Sequence, residues 1–331
     1  MSGFDDMKKA ALNAMQHVMD LCDRDTVLVV FDEQTWRVGD AFAQAAKELG
    51  CPTETFLIPE KERPLKAVPQ AMAEKLSGIS VVINALHGLQ EETPFRVDWI
   101  KEIMATKTIR LGHAPNITEA MMTEGPMNVD YAAMQSDAAR LMKAFEGATS
   151  VHITAPGGTD LKLDIEERTF CTDTKITIEQ GGNLPCGEIW CAPVETSGEG
   201  LMVCDGSIGD LENPRHPLAI TIEKGKIAAL TSQDEQLVQA VKEVTGVDAE
   251  ADIVGELGIG LNPNAKLTGI MLEDEKALRT AHIAFGNNED MPGGQNRSRT
   301  HRDFLFKEPT LEVTFQDGTS RVLIKDGEFL A

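Results

Sequence analysis

The chain has 331 residues, 42% of them hydrophobic and 25% charged, which is ordinary globular usage, excludes a disordered or fibrous chain and leaves room for two domains. Its 53 acidic residues outnumber 31 basic ones, and the net charge of −22 sets it against phosphate backbones, so no nucleic-acid partner is expected. No apolar run is long enough for a membrane-spanning helix, and the first residues lack the basic-then-apolar pattern of a signal peptide; a soluble cytoplasmic protein with no membrane partner is expected.

In chain order, residues 26–31 (TVLVVF) read as a strand and 38–49 as a helix that stops at Gly50. A strand over 53–58 and a helix over 64–76, with Pro64 in its first turn, come next. Residues 79–85 (ISVVINA) and 108–114 read as strands, and 96–104 and 130–145 as helices. Strands alternating with helices over short connections predict an α/β domain with a doubly wound parallel sheet over residues 1–150. Neither G-x-G-x-x-G nor G-x-x-x-x-G-K-[ST] is present, so a nucleotide site there would rest on fold analogy alone.

Beyond residue 150 the texture changes. Short β-branched runs at 151–154, 161–165, 175–178, 200–203, 218–222 and 226–230 are separated by turn signals such as Gly157-Gly158 and Lys224-Gly225. One helix is expected over 234–245, and Asp317-Gly318 joins 310–315 to 320–324 as a hairpin. Residues 151–331 are therefore expected to form a β-rich α+β domain. The six cysteines are sparse and read as thiols; Cys186 and Cys191 lack the second ligand pair that a zinc site needs.

Metal-competent side chains of this half fall in a few unusual settings. Glu188 and Glu256 each follow a glycine and precede apolar residues, as buried carboxylates would, and burial needs a compensating cation or hydrogen bonds. His282 lies in the run Ala281-His282-Ile283-Ala284-Phe285-Gly286. If 300–306 is a strand, His301 and Asp303 share one face, about 7 Å apart along it. They can then grip one ion, or one each of two neighbouring ions. With Glu188, Glu256 and His282 the set has five ligands, and carboxylates can bridge two ions about 3.5–4 Å apart. Read singly, each residue also has a plain role: a core histidine, a surface ion pair, a carboxylate in a turn. The other histidines, His17, His87, His113, His152 and His216, lack such a neighbourhood.

These stretches resemble the metal-dependent aminopeptidases of peptidase family M29, the family of aminopeptidase T. The resemblance runs through Ala155-Pro156-Gly157-Gly158-Thr159-Asp160, Asn183-Leu184-Pro185-Cys186-Gly187-Glu188, Gly255-Glu256, Ala281-His282-Ile283-Ala284-Phe285-Gly286 and His301-Arg302-Asp303, over about half the chain. It implies that Glu188, Glu256, His282, His301 and Asp303 bind two divalent ions (zinc, cobalt or manganese), and that the protein is a homodimer. Two departures stand out. The family's catalytic tyrosine after the histidine run is missing, since the only tyrosine is Tyr131; Glu289 stands roughly in its place. The family's Asp-Glu-Asn run is matched only by Asp274-Glu275-Lys276, displaced by about two residues.

The expectation is a metal-dependent hydrolase, an aminopeptidase or related amidase acting on a small peptide or amide through water activated by two ions. Glu289 and Glu275 are the candidate proton carriers, and Arg302 or Arg299 could meet an anionic substrate group. The sequence also resembles the 2,5-dihydroxypyridine dioxygenases, which keep the H-x-D motif. An Fe(II) site of His282, His301 and Asp303 in a ring-cleaving dioxygenase is therefore the alternative. The missing tyrosine also leaves room for a non-catalytic, metal-stabilised binder.

Overall fold

The structure, a computed structural model, describes residues 2–209, 211 and 213–330. Met1 and Ala331, the two ends of the domains drawn from sequence, lie outside the described residues. The chain divides into two compact units, residues 1–135 with 173–186, and residues 136–172 with 187–331. The fold is mixed α/β, with one parallel sheet and two antiparallel ones.

The first unit holds the parallel sheet, in the order Thr53–Ile58, Val27–Asp32, Val81–Ala85, Arg110–His113, Gly182–Asn183. Val27 to Val30 and Val81 to Ile83 are fully buried, as strands covered on both faces must be. On one face Leu28, Val30, Val82 and Leu111 pack against Phe95, Trp99 and Ile103 of the helix Thr93–Ala105. The helix Trp36–Glu48 lies so close to its strand that a Cβ on Gly39 would fall 2.3 Å from the Phe31 ring. The last strand comes from the segment 173–186, which returns to this unit after residue 172.

Three expectations change. A helix Ser2–His17, not expected from the sequence, buries Met7, Ala11, Ala14 and Met15. The helix expected over 64–76 shrinks to Gln70–Ala73 with a 3-10 turn at Glu74–Leu76. Arg63 and Pro69 are extended, because a proline restricts the residue before it and Pro69 caps the short helix. Residues 175–178 are not a strand: the Thr177 hydroxyl accepts from the amides of Glu179 and Gln180 and folds the segment into a local turn.

The second unit holds both antiparallel sheets. The larger has eight strands, in the order Lys226–Thr231, Leu218–Glu223, Glu199–Cys204, Asp160–Asp164, Ala148–Thr154, Thr310–Phe315, Ser320–Lys325, Glu328–Phe329. The smaller runs His301–Lys307, Thr280–Gly286, Val254–Gly260, Glu188–Cys191, Cys171–Thr172. None of the six cysteines forms a disulfide. No helix among the described residues is long and apolar enough to cross a membrane.

Candidate metal centre

The smaller sheet explains how residues far apart in sequence meet. Directly paired residues of neighbouring strands share a face. Glu188 pairs with Gly260, His282 with Gly258, Ala284 with both Glu256 and Asp303, and His301 with Gly286. All five expected ligands therefore project from one face, where glycine and alanine are their cross-strand partners except for Leu305, which pairs with His282 on its other side. The intervening residues, Ile189, Leu257, Ile259, Ile283, Phe304 and Phe306, are buried. Phe285 meets Phe304 edge to face at 5.4 Å.

Small residues are a spatial requirement here. A Cβ on Gly258 would fall 2.0 Å from His282 Nε2, so the imidazole lies across that glycine. A Cβ on Gly260 would fall 2.0 Å from the Ala277 carbonyl oxygen, where the chain closes over the strand.

His282 Nε2 lies 3.5 Å from Glu188 Oε2 and 3.5 Å from Glu256 Oε1. His301 Nε2 lies 3.1 Å from Glu256 Oε2 and 3.3 Å from Asp303 Oδ1. Glu256 thus turns one oxygen to each histidine. The donor atoms of Glu188, Glu256 and His282 lie within 4.8 Å of one another, as do those of Glu256, His301 and Asp303. A carboxylate common to two donor sets can bridge two cations.

The tautomer of His301 tests the fit to a cation. Its Nδ1 lies 2.7 Å from the Asn287 carbonyl, which can only accept, so Nδ1 carries the proton. Neutral His301 then aims the Nε2 lone pair at two carboxylates. That arrangement is repulsive unless a proton or metal ion sits between them, and a ring held through its other nitrogen is how proteins orient metal-binding histidines. His282 Nδ1 is buried with no hydrogen-bond partner among the described residues, which leaves Nε2 as its working atom. The electrostatics agree. Burial opposes a charge on His282, but the Glu256 hydrogen bond and the charges of Glu256, Glu188 and Asp303 overcome it and raise the ring to about 9. Burial also opposes a charge on His301, and Asp303 and Glu256 drive it well above the ordinary imidazole range. Burial favours neutral forms of Glu256 and Asp303, yet the two imidazoles hold both carboxyls below their ordinary values. The cluster is built for positive charge, and its donor set fits divalent metal.

The structure adds a residue that sequence reasoning passed over. Lys276 is fully buried, and its ammonium donates to Glu188 Oε1 and, at 2.5 Å, to Glu275 Oε1. The run Asp274-Glu275-Lys276 was visible, but a lysine beside two acids reads as a solvated surface. Glu275 therefore sits at the cluster. Burial raises its carboxyl above the ordinary range, the Lys276 charge opposes that rise and Asp303 adds to it. Glu289 is exposed and paired with Arg297 at 2.9 Å. Arg302 Nη1 donates to the His301 carbonyl, and Arg299 is held by the Val247 carbonyl and Asp248. The Tyr131 hydroxyl is buried within the first unit, where it donates to the Met127 carbonyl.

A family model described as thermophilic metalloprotease (M29) matches residues 116–329. Two solved structures share the fold across essentially their whole length. The 2,5-dihydroxypyridine dioxygenase from Pseudomonas putida has a TM-score of 0.74 at 19% identity, covering 98% of each chain. Wild-type AmpT from Thermus thermophilus has a TM-score of 0.74 at 15% identity, covering 99% of each chain. No curated protein sequence matches this chain.

Proposed function

Because the chain belongs to the thermophilic metalloprotease family M29, we propose that it is a metal-dependent hydrolase of the aminopeptidase type, acting on a small peptide or related amide. Glu188, Glu256, His282, His301 and Asp303 would hold divalent metal of the zinc, cobalt or manganese kind, two ions in all, with Glu256 belonging to both donor sets. The catalytic domain is the β-rich one, expected from sequence as residues 151–331 with an α/β domain over 1–150; its ligands all fall in the compact unit of residues 136–172 and 187–331. The protein is proposed to work in the cytoplasm as a homodimer, with no nucleic-acid partner. The observation that carries the reading is the orientation of His301, whose Nδ1–H···O bond to Asn287 turns Nε2 toward Glu256 and Asp303.

Bound divalent ions supply a water whose pKa falls toward neutrality and polarise the scissile carbonyl. The residues of this chain do the rest. His301, with a third of its side chain exposed, marks the side open to solvent, whereas His282 closes the buried side. Glu275 lies against Lys276 at the cluster and is the proposed carrier of the proton from water to the leaving amine. Glu289 is the less favoured carrier, because its carboxylate is turned to Arg297.

The fold shared with the dioxygenase supports a second reading, an Fe(II) site of His282, His301 and Asp303. Two further acids, Glu188 and Glu256, favour hydrolysis, since a two-histidine, one-carboxylate iron site has no use for them. A non-catalytic metal-stabilised binder is the outcome if neither activity is found.

The test is release of amine from Leu-p-nitroanilide with zinc, cobalt or manganese, set against oxygen uptake with ferrous iron and a dihydroxylated pyridine. Amine release that depends on the divalent ion is expected; oxygen uptake alone would replace this reading by the second. In His301→Ala we expect turnover to fall at least about 100-fold together with metal content, while the circular dichroism spectrum is kept. Full metal content and normal turnover in that variant would refute the assignment.

A further inference from the structure

The two donor groups of the proposed metal centre are not equivalent, and their inequality as metal positions rests on that reading of the site. Lys276 reaches Glu188 from a chain segment tied down around it. The Lys276 carbonyl accepts from Asn262 N at 2.8 Å, and its own amide donates to the Glu273 carbonyl at 3.1 Å. Just before it, buried Asp274 accepts from the amides of Thr268 at 2.7 Å and Gly269 at 2.8 Å and from the Ser207 hydroxyl. With the backbone fixed on both sides and the ammonium fully buried, withdrawing it would strand a charge and two carboxylates away from water, so the pairing is durable.

We propose that Lys276 makes the two metal positions unequal. Glu256, His301 and Asp303 take the tightly held ion. At Glu188, Glu256 and His282 the ammonium already neutralises Glu188 and repels a second divalent ion, so that position fills only at far higher free metal. The geometry is lopsided in this sense. Glu188 gives Oε1 to the lysine and keeps Oε2 toward His282. The ion pairs of Glu256 and Asp303, by contrast, are with histidines. The Lys276 charge also reaches Asp303, but less strongly than those of His301 and His282. The tight position is also the one open to solvent, so one resident ion can meet substrate without the second.

The test is titration of the stripped full-length protein with cobalt(II), followed by calorimetry and visible absorption, and repeated with zinc. The wild type is expected to bind one equivalent tightly and the second at least about 100-fold more weakly, given the charge repulsion at this range. Lys276→Met should tighten the second equivalent at least about tenfold. Lys276→Gln, which removes the charge and keeps a donor for Glu188, should do the same if the methionine variant does not fold. Glu188→Gln should abolish the second equivalent and leave the first. Two equally tight equivalents in the wild type would overturn the proposal, and so would neutral lysine variants whose second affinity is unchanged. Failure of the wild type to bind any cobalt or zinc would overturn the metal-centre reading as well, and is a distinct result.

Discussion

Gly258 is the position at which the site admits no side chain. Its strand is ordinary extended backbone, so alanine suits the main chain, yet a Cβ there would stand 2.0 Å from His282 Nε2. The imidazole would have to swing off Glu188 and Glu256. In Gly258→Ala we therefore expect the weaker cobalt(II) equivalent, held through His282, to vanish in titration while the tight one persists. The overpacking should cost about 1–3 kcal/mol in denaturant unfolding. Retention of both equivalents would show that His282 is not a ligand. At this scale the sequence was readable where a period of two decides: His301 and Asp303 share a face because a strand alternates. It was not readable where the third dimension decides. Nothing in Glu275-Lys276 marks the lysine as buried, and nothing in Gly258 names the ring that lies across it.

At the level of elements, the short helix Met271–Asp274 and the chain before it set the depth of Glu275 and Lys276. Asp274 is its anchor, a fully buried carboxylate that accepts from two backbone amides and the Ser207 hydroxyl. In Asp274→Ala the buried Ser207 hydroxyl loses its acceptor and the amides of exposed Thr268 and Gly269 lose theirs to water, at a cost of about 1–3 kcal/mol. Chemical denaturation should show that loss. Cobalt titration should also show the second position tightening, as Lys276 loses its fixed seat; unchanged stability would mean that the anchor is replaceable. The same scale explains which elements the sequence concealed. Val254–Gly260 and Thr280–Gly286 are buried at every position, so neither shows the alternation of a half-exposed strand. The run Val254-Gly255-Glu256-Leu257-Gly258-Ile259-Gly260 is also too rich in glycine to signal a strand by propensity. Pairing with neighbours on both sides, rather than local preference, makes it one. The hairpin of Thr310–Phe315 and Ser320–Lys325 was legible because Asp317-Gly318 is a local turn signal.

For the whole molecule, the alternation of strands and helices was enough to expect a parallel sheet, but not to foresee that residues 173–186 return to it. That return is a two-residue pairing, Gly112 with Gly182 and His113 with Asn183, which no periodicity announces. The distribution of charge has a consequence at this scale. Every proposed ligand, together with Glu275 and Lys276, belongs to the second unit. Four acids crowd there, Glu188 and Glu275 on the one lysine and Glu256 and Asp303 on the two histidines. Histidines that bind metal through Nε2 are neutral, so in the proposed centre a bound ion would offset the acids. When it is stripped, protons on His282 and His301 replace it only in part, and the carboxylates repel one another. An ion bound to the folded form alone stabilises by about 2.7 kcal/mol at a free concentration 100-fold above its dissociation constant. Chelation removes that contribution from the unit that holds the ligands. We therefore expect chelator to speed amide hydrogen exchange in peptides covering Val254–Gly260, Thr280–Gly286 and His301–Lys307. Peptides covering Val27–Asp32 and Val81–Ala85, whose sheet contains none of the ligands, should exchange as before. Restoring zinc should reverse the change. Equal protection of the smaller antiparallel sheet with and without chelator, in protein shown to have carried metal, would mean that the five side chains hold their positions without an ion.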